Sequence, residues 1–317
     1  MSNAGPSRRY DGRRSDEMRP LVISIGELDR ADGSGRFGFG STAALASCSG
    51  PLEVRLNKEL PTKATLEISH RPLEGVGATP SRALITTLES IYPSVLKLSS
   101  HPRSLIQIIV QSLSSSSTSS TSSFNTYNTP SVYIDTDASE EGEPNTWPKP
   151  KNQSSFPLEE VSSPIASYTF ASRSASINAS TLAILSNGSI PMTSLPISIS
   201  VACIDSTQGQ QVKGDLIVDP TVEEESRAKS RFAFAWAFGK NISMIKKDDK
   251  DSDVDVKMEL DQNDREDEME LIWVESEGKF NKETFSDALE LSKIACRTIL
   301  SEIREKLGQE LESKTLQ

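Results

Sequence analysis

Apolar and polar positions alternate in short runs over the first hundred residues. "LVISIGEL" (21–28) and "STAALASCSG" (41–50) carry the pattern of strands, and the Gly-rich "DGSGRFGFG" (32–40) reads as the turn between them. "KATLEISHRP" (63–72) predicts a third strand, with Ala64, Leu66 and Ile68 on one face. The period then changes. In "PSRALITTLESIYPSVL" (80–96) apolar residues fall at 84, 85, 88, 91, 92 and 95, the spacing of a helix, opened by Pro80-Ser81. "SLIQIIVQSL" (104–113) returns to a strand pattern.

The same alternation of elements recurs after residue 164. "ASRSASINASTLAIL" (171–185) predicts a small-residue helix carrying Ala175, Ile177, Ala179, Leu182 and Ile184. "LPISISVACI" (195–204) and "GDLIVD" (214–219) predict paired strands. "SRFAFAWAFG" (230–239) puts Phe232, Phe234, Trp236 and Phe238 on one strand face, and "MELIWVESEGKF" (269–280) resumes the sheet. The chain closes on an amphipathic helix from 282, with a predicted stripe of Phe285, Leu289, Ile294, Leu300, Ile303 and Leu307. Strands and helices in this order predict an α+β fold of sheet-and-helix layers.

Three segments break the pattern. Residues 1–20 lack apolar periodicity and read as an N-terminal arm. Residues 113–163 are Ser/Thr/Pro-rich with few aliphatics, too little apolar surface to offset ordering entropy, and predict a disordered insertion. Residues 245–268 are almost entirely charged and predict a second, acidic insertion. The folded domain is expected over 21–112 and 164–310.

Composition narrows the function classes. Hydrophobic residues make up 35% of the 317, a deficit that falls in these three segments. The formal net charge of −11 argues against a general polyanion binder with a basic surface, while leaving room for RNA contact through a small basic patch. No apolar run approaches about 18 residues, so no membrane span is expected, and the polar, basic N-terminus has no secretory h-region. Cys48, Cys203 and Cys296 are far apart and odd in number, which suits buried reduced thiols. With only His70 and His101, a His-based metal site or a Ser-His-Asp triad is hard to assemble.

One stretch invites a chemical reading. "GDLIVDPTVEEESRAKSRF" (214–232) runs a strand into Asp215, Asp219, Glu223, Glu224 and Glu225. Such carboxylates can hold Mg²⁺ or Mn²⁺ for phosphodiester chemistry. They can equally form the first turn of a helix, with Asp219 as its cap and Glu223–Glu225 facing the positive end of its dipole.

Taken jointly, several blocks resemble the ribonuclease PH family: "DGRRSDEMRP" (11–20), "ADGSGRFGFGSTAALASCSGP" (31–51), "SRSASINASTLAIL" (172–185), "LIVDPTVEEE" (216–225) and the final helix. "NKELPTKATLEISHRP" (57–72) is similar to one branch, a ring subunit of the RNA exosome. The resemblance implies a fold like the second domain of ribosomal protein S5. It also implies a ring of six such subunits, under RNA-binding cap subunits. In active members RNA threads the pore and inorganic phosphate attacks its 3′ end.

The resemblance also assigns site residues. The phosphate cradle of active relatives, roughly Gly-Gly/Ser-Thr-Arg-Thr/Ser-Ala, matches Phe170-Ala171-Ser172-Arg173-Ser174-Ala175 here. Ser172, Arg173 and Ser174 are therefore a vestigial phosphate site, in which Phe170 and Ala171 stand where small residues let phosphate approach. Active members carry two aspartates six apart; Asp219 and Glu225 keep the spacing but not the second residue, a vestigial metal site. Without the cradle a metal is not a phosphorolytic centre, so the helix-turn reading of the carboxylates is preferred. Arg71, Arg82, Arg103 and Arg173 are candidates for RNA contact, or for salt bridges with a neighbouring subunit.

The expectation is a non-catalytic structural subunit of the exosome ring. It would need no cofactor or metal, would partner other ribonuclease PH-like subunits, the cap and the threading RNA, and would reside in nucleus, nucleolus and cytoplasm. The alternatives are an active phosphorolytic 3′-to-5′ exoribonuclease and a free-standing nucleic-acid-binding homodimer.

Overall fold

A computed structural model of the chain describes Arg9 and residues 11–73, 77, 79–114, 169–204, 215–239 and 269–315. The expected insertions 113–163 and 245–268 lie outside the described residues, apart from Leu113 and Ser114. Strands β1 (Leu21–Ile25), β2 (Gly33–Phe39), β3 (Thr42–Glu53) and β4 (Thr65–Arg71) lead into helix α1 (Thr79–Val95) and strand β5 (Ser104–Ser112). Helix α2 (Phe170–Asn187), strands β6 (Leu195–Ile204) and β7 (Asp215–Val218), the short helix α3 (Val222–Arg227), strands β8 (Ser230–Phe238) and β9 (Met269–Gly278), and helix α4 (Lys282–Thr315) follow.

The strands form two sheets, ordered β1-β2-β3-β5-β4 and β7-β6-β8-β9. All neighbours are antiparallel except β4 and β5, which run parallel because α1 carries the chain across between them. The architecture is α+β, two sheets layered with helices, as the sequence predicts.

Helix α2 lies between the sheets and is buried on every side from Phe170 to Ile184. That position explains its composition, since Ala and Ser let two sheets approach one helix. Two of its hydroxyls are satisfied within the helix: Ser176 Oγ donates to the Ser172 carbonyl and Ser180 Oγ to the Ser176 carbonyl, both at 2.8 Å. Asn178 clamps the helix to β6, its Oδ1 accepting from Ser198 N at 2.8 Å and its Nδ2 donating to Ser198 O at 2.9 Å. Strand β6 alternates Ile and Ser although both faces are buried. Ile197 and Ile199 lie opposite Trp236 and Phe234, whose partners include Ser292 and Phe285 of α4. The serines give α2 its close approach.

The Gly-rich segment expected as a turn is instead strand β2, paired on both sides by β1 and β3. A Cβ at Gly35 would fall 2.5 Å from Leu182 Cβ and one at Gly33 2.3 Å from the Ala183 carbonyl oxygen, so the glycines serve helix-on-sheet packing rather than chain reversal. The turn itself is two residues, with Gly40 at φ 55°. Of the stripe expected on α4, Leu300 and Ile303 are in the core and Phe285, Leu289 and Leu307 pack against it; Ile294 falls outside. Ile294 is 63% exposed, while Ala288, Ser292, Cys296 and Ile299 are buried between Phe285 and Ile303, at the true helical repeat. Phe232, Phe234, Trp236 and Phe238 are core residues. All three cysteines are buried and none is in a disulfide. No helix among the described residues is long and apolar enough to cross a membrane.

Candidate functional site

The N-terminus of α2 carries the site that the sequence singles out. Thr169 caps the helix, its hydroxyl accepting from Ser172 N at 3.2 Å. That leaves the first backbone N–H groups, at Phe170 and Ala171, without intrahelical acceptors. Glu225 supplies them: its Oε2 accepts from Phe170 N and its Oε1 from Ala171 N, each at 3.0 Å. The carboxylate is 1% exposed and lies where the helix dipole favours an anion. Burial pushes its pKa up to about 7, against the pull of these two N–H bonds and of Arg231 and Arg19.

The cationic groups of the site are engaged as well. Arg173, 2% exposed, pairs with Glu275 on β9. Arg231 on β8 donates to Glu277 at 2.7 Å. The Phe170 ring sits against both guanidinium groups, with its centroid 5.3 Å from Arg173 Cζ and 5.5 Å from Arg231 Cζ. Ser174 is fully buried and accepts from Ser198 Oγ at 3.0 Å.

Asp219 sits at the end of β7 with φ 49°, a left-handed conformation that Asp tolerates better than most residues. It was expected to cap the helix that follows, and it does not. Thr221 is the cap, in a capping box with Glu224: Thr221 Oγ1 accepts from Glu224 N and Glu224 Oε2 from Thr221 N. The positive φ turns Asp219 away from α3 and towards the arm, where Arg19 binds it through its backbone N–H and guanidinium. Arg13 Nη1 lies 3.6 Å from the same carboxylate.

Arg9 extends this contact, pairing with Glu224 and donating to the Val218 and Asp219 carbonyls at 2.7 and 2.9 Å. Burial pushes the Glu224 carboxyl up, but the bonds from Arg9 and Thr221 and the charges of Arg9 and Arg13 hold it below the usual carboxylate range. Among the described residues, no group of three or more His, Cys, Asp or Glu side chains is arranged to hold a metal ion.

The remaining arginines are scattered. Arg71, at the end of β4, and Arg82, in the first turn of α1, are exposed on either side of one loop. Arg103 precedes β5 and lies 3.4 Å from Glu59. Because β4 and β5 are parallel, Arg103 and Arg71 stand at opposite ends of these strands, roughly 25 Å apart along them. An open groove of ≈ 690 Å³, lined by Met18, Leu21, Val218, Leu291 and Ile294 among others, runs between the arm and α4 without reaching Phe170.

Sequence reasoning missed Arg19, Arg231, Glu275 and Glu277. The arm lacks an apolar period, and nothing in its pattern marks Arg19 as a guanidinium aimed at a buried carboxylate. Glu275 and Glu277 repeat at i and i+2 on an edge strand, a signal indistinguishable from an ordinary solvated face.

Comparison with known proteins agrees with this geometry. Residues 17–189 match domain 1 of the ribonuclease PH (3′ exoribonuclease) family, and residues 194–295 match domain 2. The exosome complex component RRP46 of Saccharomyces cerevisiae is 27% identical over 284 residues, 90% of this chain and 93% of its own. The crystal structure of rice (Oryza sativa) Rrp46 superposes with a TM-score of 0.63 at 19% identity, over 95% of this chain and 100% of the other. The Archaeoglobus fulgidus exosome with RNA bound to the active site gives 0.54 at 15% identity, over 93% and 92%. Both family domains, in order and across most of the length, make this chain a member of the ribonuclease PH family of 3′ exoribonucleases.

Proposed function

We propose that the chain is a non-catalytic structural subunit of an RNA exosome ring, supporting 3′-to-5′ RNA processing and degradation in nucleus, nucleolus and cytoplasm. The observation that carries this reading is the double engagement of the vestigial phosphate site. The N–H groups of Phe170 and Ala171 are held by Glu225, and Arg173 is held by Glu275. Phosphorolysis needs a phosphate cradled by such groups and a metal held by paired carboxylates. Here one carboxylate of the pair is locked by Arg19 and the other is bound to the helix.

Assembly is then the function. The yeast relative is named an exosome component, and the partners that fit are other ribonuclease PH-like subunits and the RNA-binding cap, with RNA passing through the ring. Exposed Arg71, Arg82 and Arg103 are the cations proposed to meet RNA or a neighbouring subunit; Arg173 is too deeply buried for that role. Obligate interfaces of this kind bury upward of about 2,000 Å². Co-expression with a second ribonuclease PH-fold subunit, followed by sizing, tests the proposal: a stable hetero-oligomer is expected, and a well-behaved monomer that ignores every ring partner contradicts it.

A further inference from the structure

We infer that the groove between the arm and α4 is a docking site for a basic amphipathic helix of a partner protein. One stripe of α4 builds it: Leu291, Ile294, Ala295, Thr298 and Glu302 follow at steps of one, three and four and so share a face. The arm adds Met18 and Leu21, and β7 adds Val218, around an open volume of ≈ 690 Å³. Within this stripe Ile294 is 63% exposed, apolar surface that the chain itself leaves uncovered. The arm is pinned: Val218 N donates to the Ser15 carbonyl and Gly40 N to the Pro20 carbonyl, both at 2.9 Å, and Arg19 is bound to Asp219. The groove is thus formed before a partner arrives, which lowers the cost of binding.

Charge selects the occupant. Arg19, the cation among the lining residues, is already committed to Asp219. Asp16 of the arm and Glu302 of α4 are exposed, and neither forms an ion pair among the described residues. Each wall therefore offers an uncompensated carboxylate beside an apolar surface. The complement is an apolar stripe flanked by Lys or Arg, and the same charge repels RNA. From Leu291 to Glu302 the groove follows α4 for roughly 16 Å, so about three turns of a partner helix cover it, with anchors at i, i+3 or i+4, and i+7. This surface goes beyond ring assembly: it recruits a further protein, and it must stay open once the chain has its ring neighbours.

The test uses two labelled amphipathic probes of about 14 residues, one of Leu and Lys, the other of Leu and Glu in the same order. Binding is read by fluorescence anisotropy on the full chain, alone and co-expressed with a second ribonuclease PH-fold subunit. The Leu/Lys probe should bind and the Leu/Glu probe should not. Ile294→Asp, at an exposed position, should weaken the Leu/Lys probe by roughly tenfold or more. That variant adds a negative charge, so a merely electrostatic association would hold or tighten instead, and that result overturns the inference. Asp16→Lys with Glu302→Lys should reverse the preference between the two probes, and an unchanged preference overturns it. So does binding to the lone chain that is lost in the hetero-oligomer, which would make the groove a ring contact. A homodimer dispersed by Ile294→Asp overturns it too, since the occupant is then a second copy. Failure of the hetero-oligomer to form counts against the ring reading, while the probes still report on the groove in the lone chain.

Discussion

Arg19 holds Asp219 at both oxygens. Its backbone N–H and Nε donate to Oδ2 at 2.9 and 2.8 Å, and Nη2 donates to Oδ1 at 2.5 Å. Asp219 is 0% exposed, so this pair is a buried ion pair that joins the arm to the end of β7. Arg19→Ala leaves the carboxylate in the interior without its principal partner, and the expected loss is roughly 3–5 kcal/mol. Arg19→Lys should recover only part of it, because an ammonium cannot reproduce the planar two-point contact. Urea unfolding of the three chains reads both values.

Glu225 gives a pH dependence opposite to that of most carboxylates. Its folded pKa of about 7 lies above the ordinary 4.5, so the fold binds a proton more tightly than the unfolded chain. The resulting stability is complete below 4.5 and lost as pH rises through 7, a change on the order of 3 kcal/mol. Glu225→Gln lacks that slope, and the stability difference between the two chains should move against the wild type across this window. His70, which burial pushes down to about 4, contributes a slope of opposite sign that is common to both chains and cancels. Parallel curves would show that Glu225 stays ionised throughout.

Gly35→Ala should destabilise the fold by roughly 1–3 kcal/mol, because the new Cβ meets Leu182 Cβ at 2.5 Å and Ala183 N at 2.6 Å, and a helix backbone cannot move aside as a side chain can. A denaturant midpoint unchanged from wild type would mean that α2 does not rest on β2 this closely.

Asn178→Leu removes both hydrogen bonds between α2 and the Ser198 backbone, leaving a buried N–H and a buried carbonyl without that clamp. Roughly 1–3 kcal/mol should be lost, and amide exchange at Ser198 should accelerate. Unchanged exchange there would place the stabilisation elsewhere.

Much of this fold is legible in the sequence wherever one period dominates. The six apolar positions of α1 and the alternation in β5 and β8 are read without help from packing. Legibility fails where a neighbour decides. Gly33 and Gly35 look like turn residues until a helix is laid over them, and Ser198 and Ser200 look solvent-facing until both faces of β6 are covered. The site divides in the same way. Asp219, Glu225 and Arg173 could be picked out by spacing and family resemblance. That Asp219 faces Arg19 and not the helix depends on one positive φ, and that Glu225 reaches α2 depends on a contact across 54 residues of chain.

The most direct test of the central claim is phosphate-dependent release of nucleoside diphosphates from single-stranded RNA by the purified chain. With Glu225 on the α2 N-terminus, Arg173 on Glu275 and Asp219 on Arg19, no release is predicted at any phosphate concentration. Release that depends on phosphate and disappears on Asp219→Ala would contradict the account.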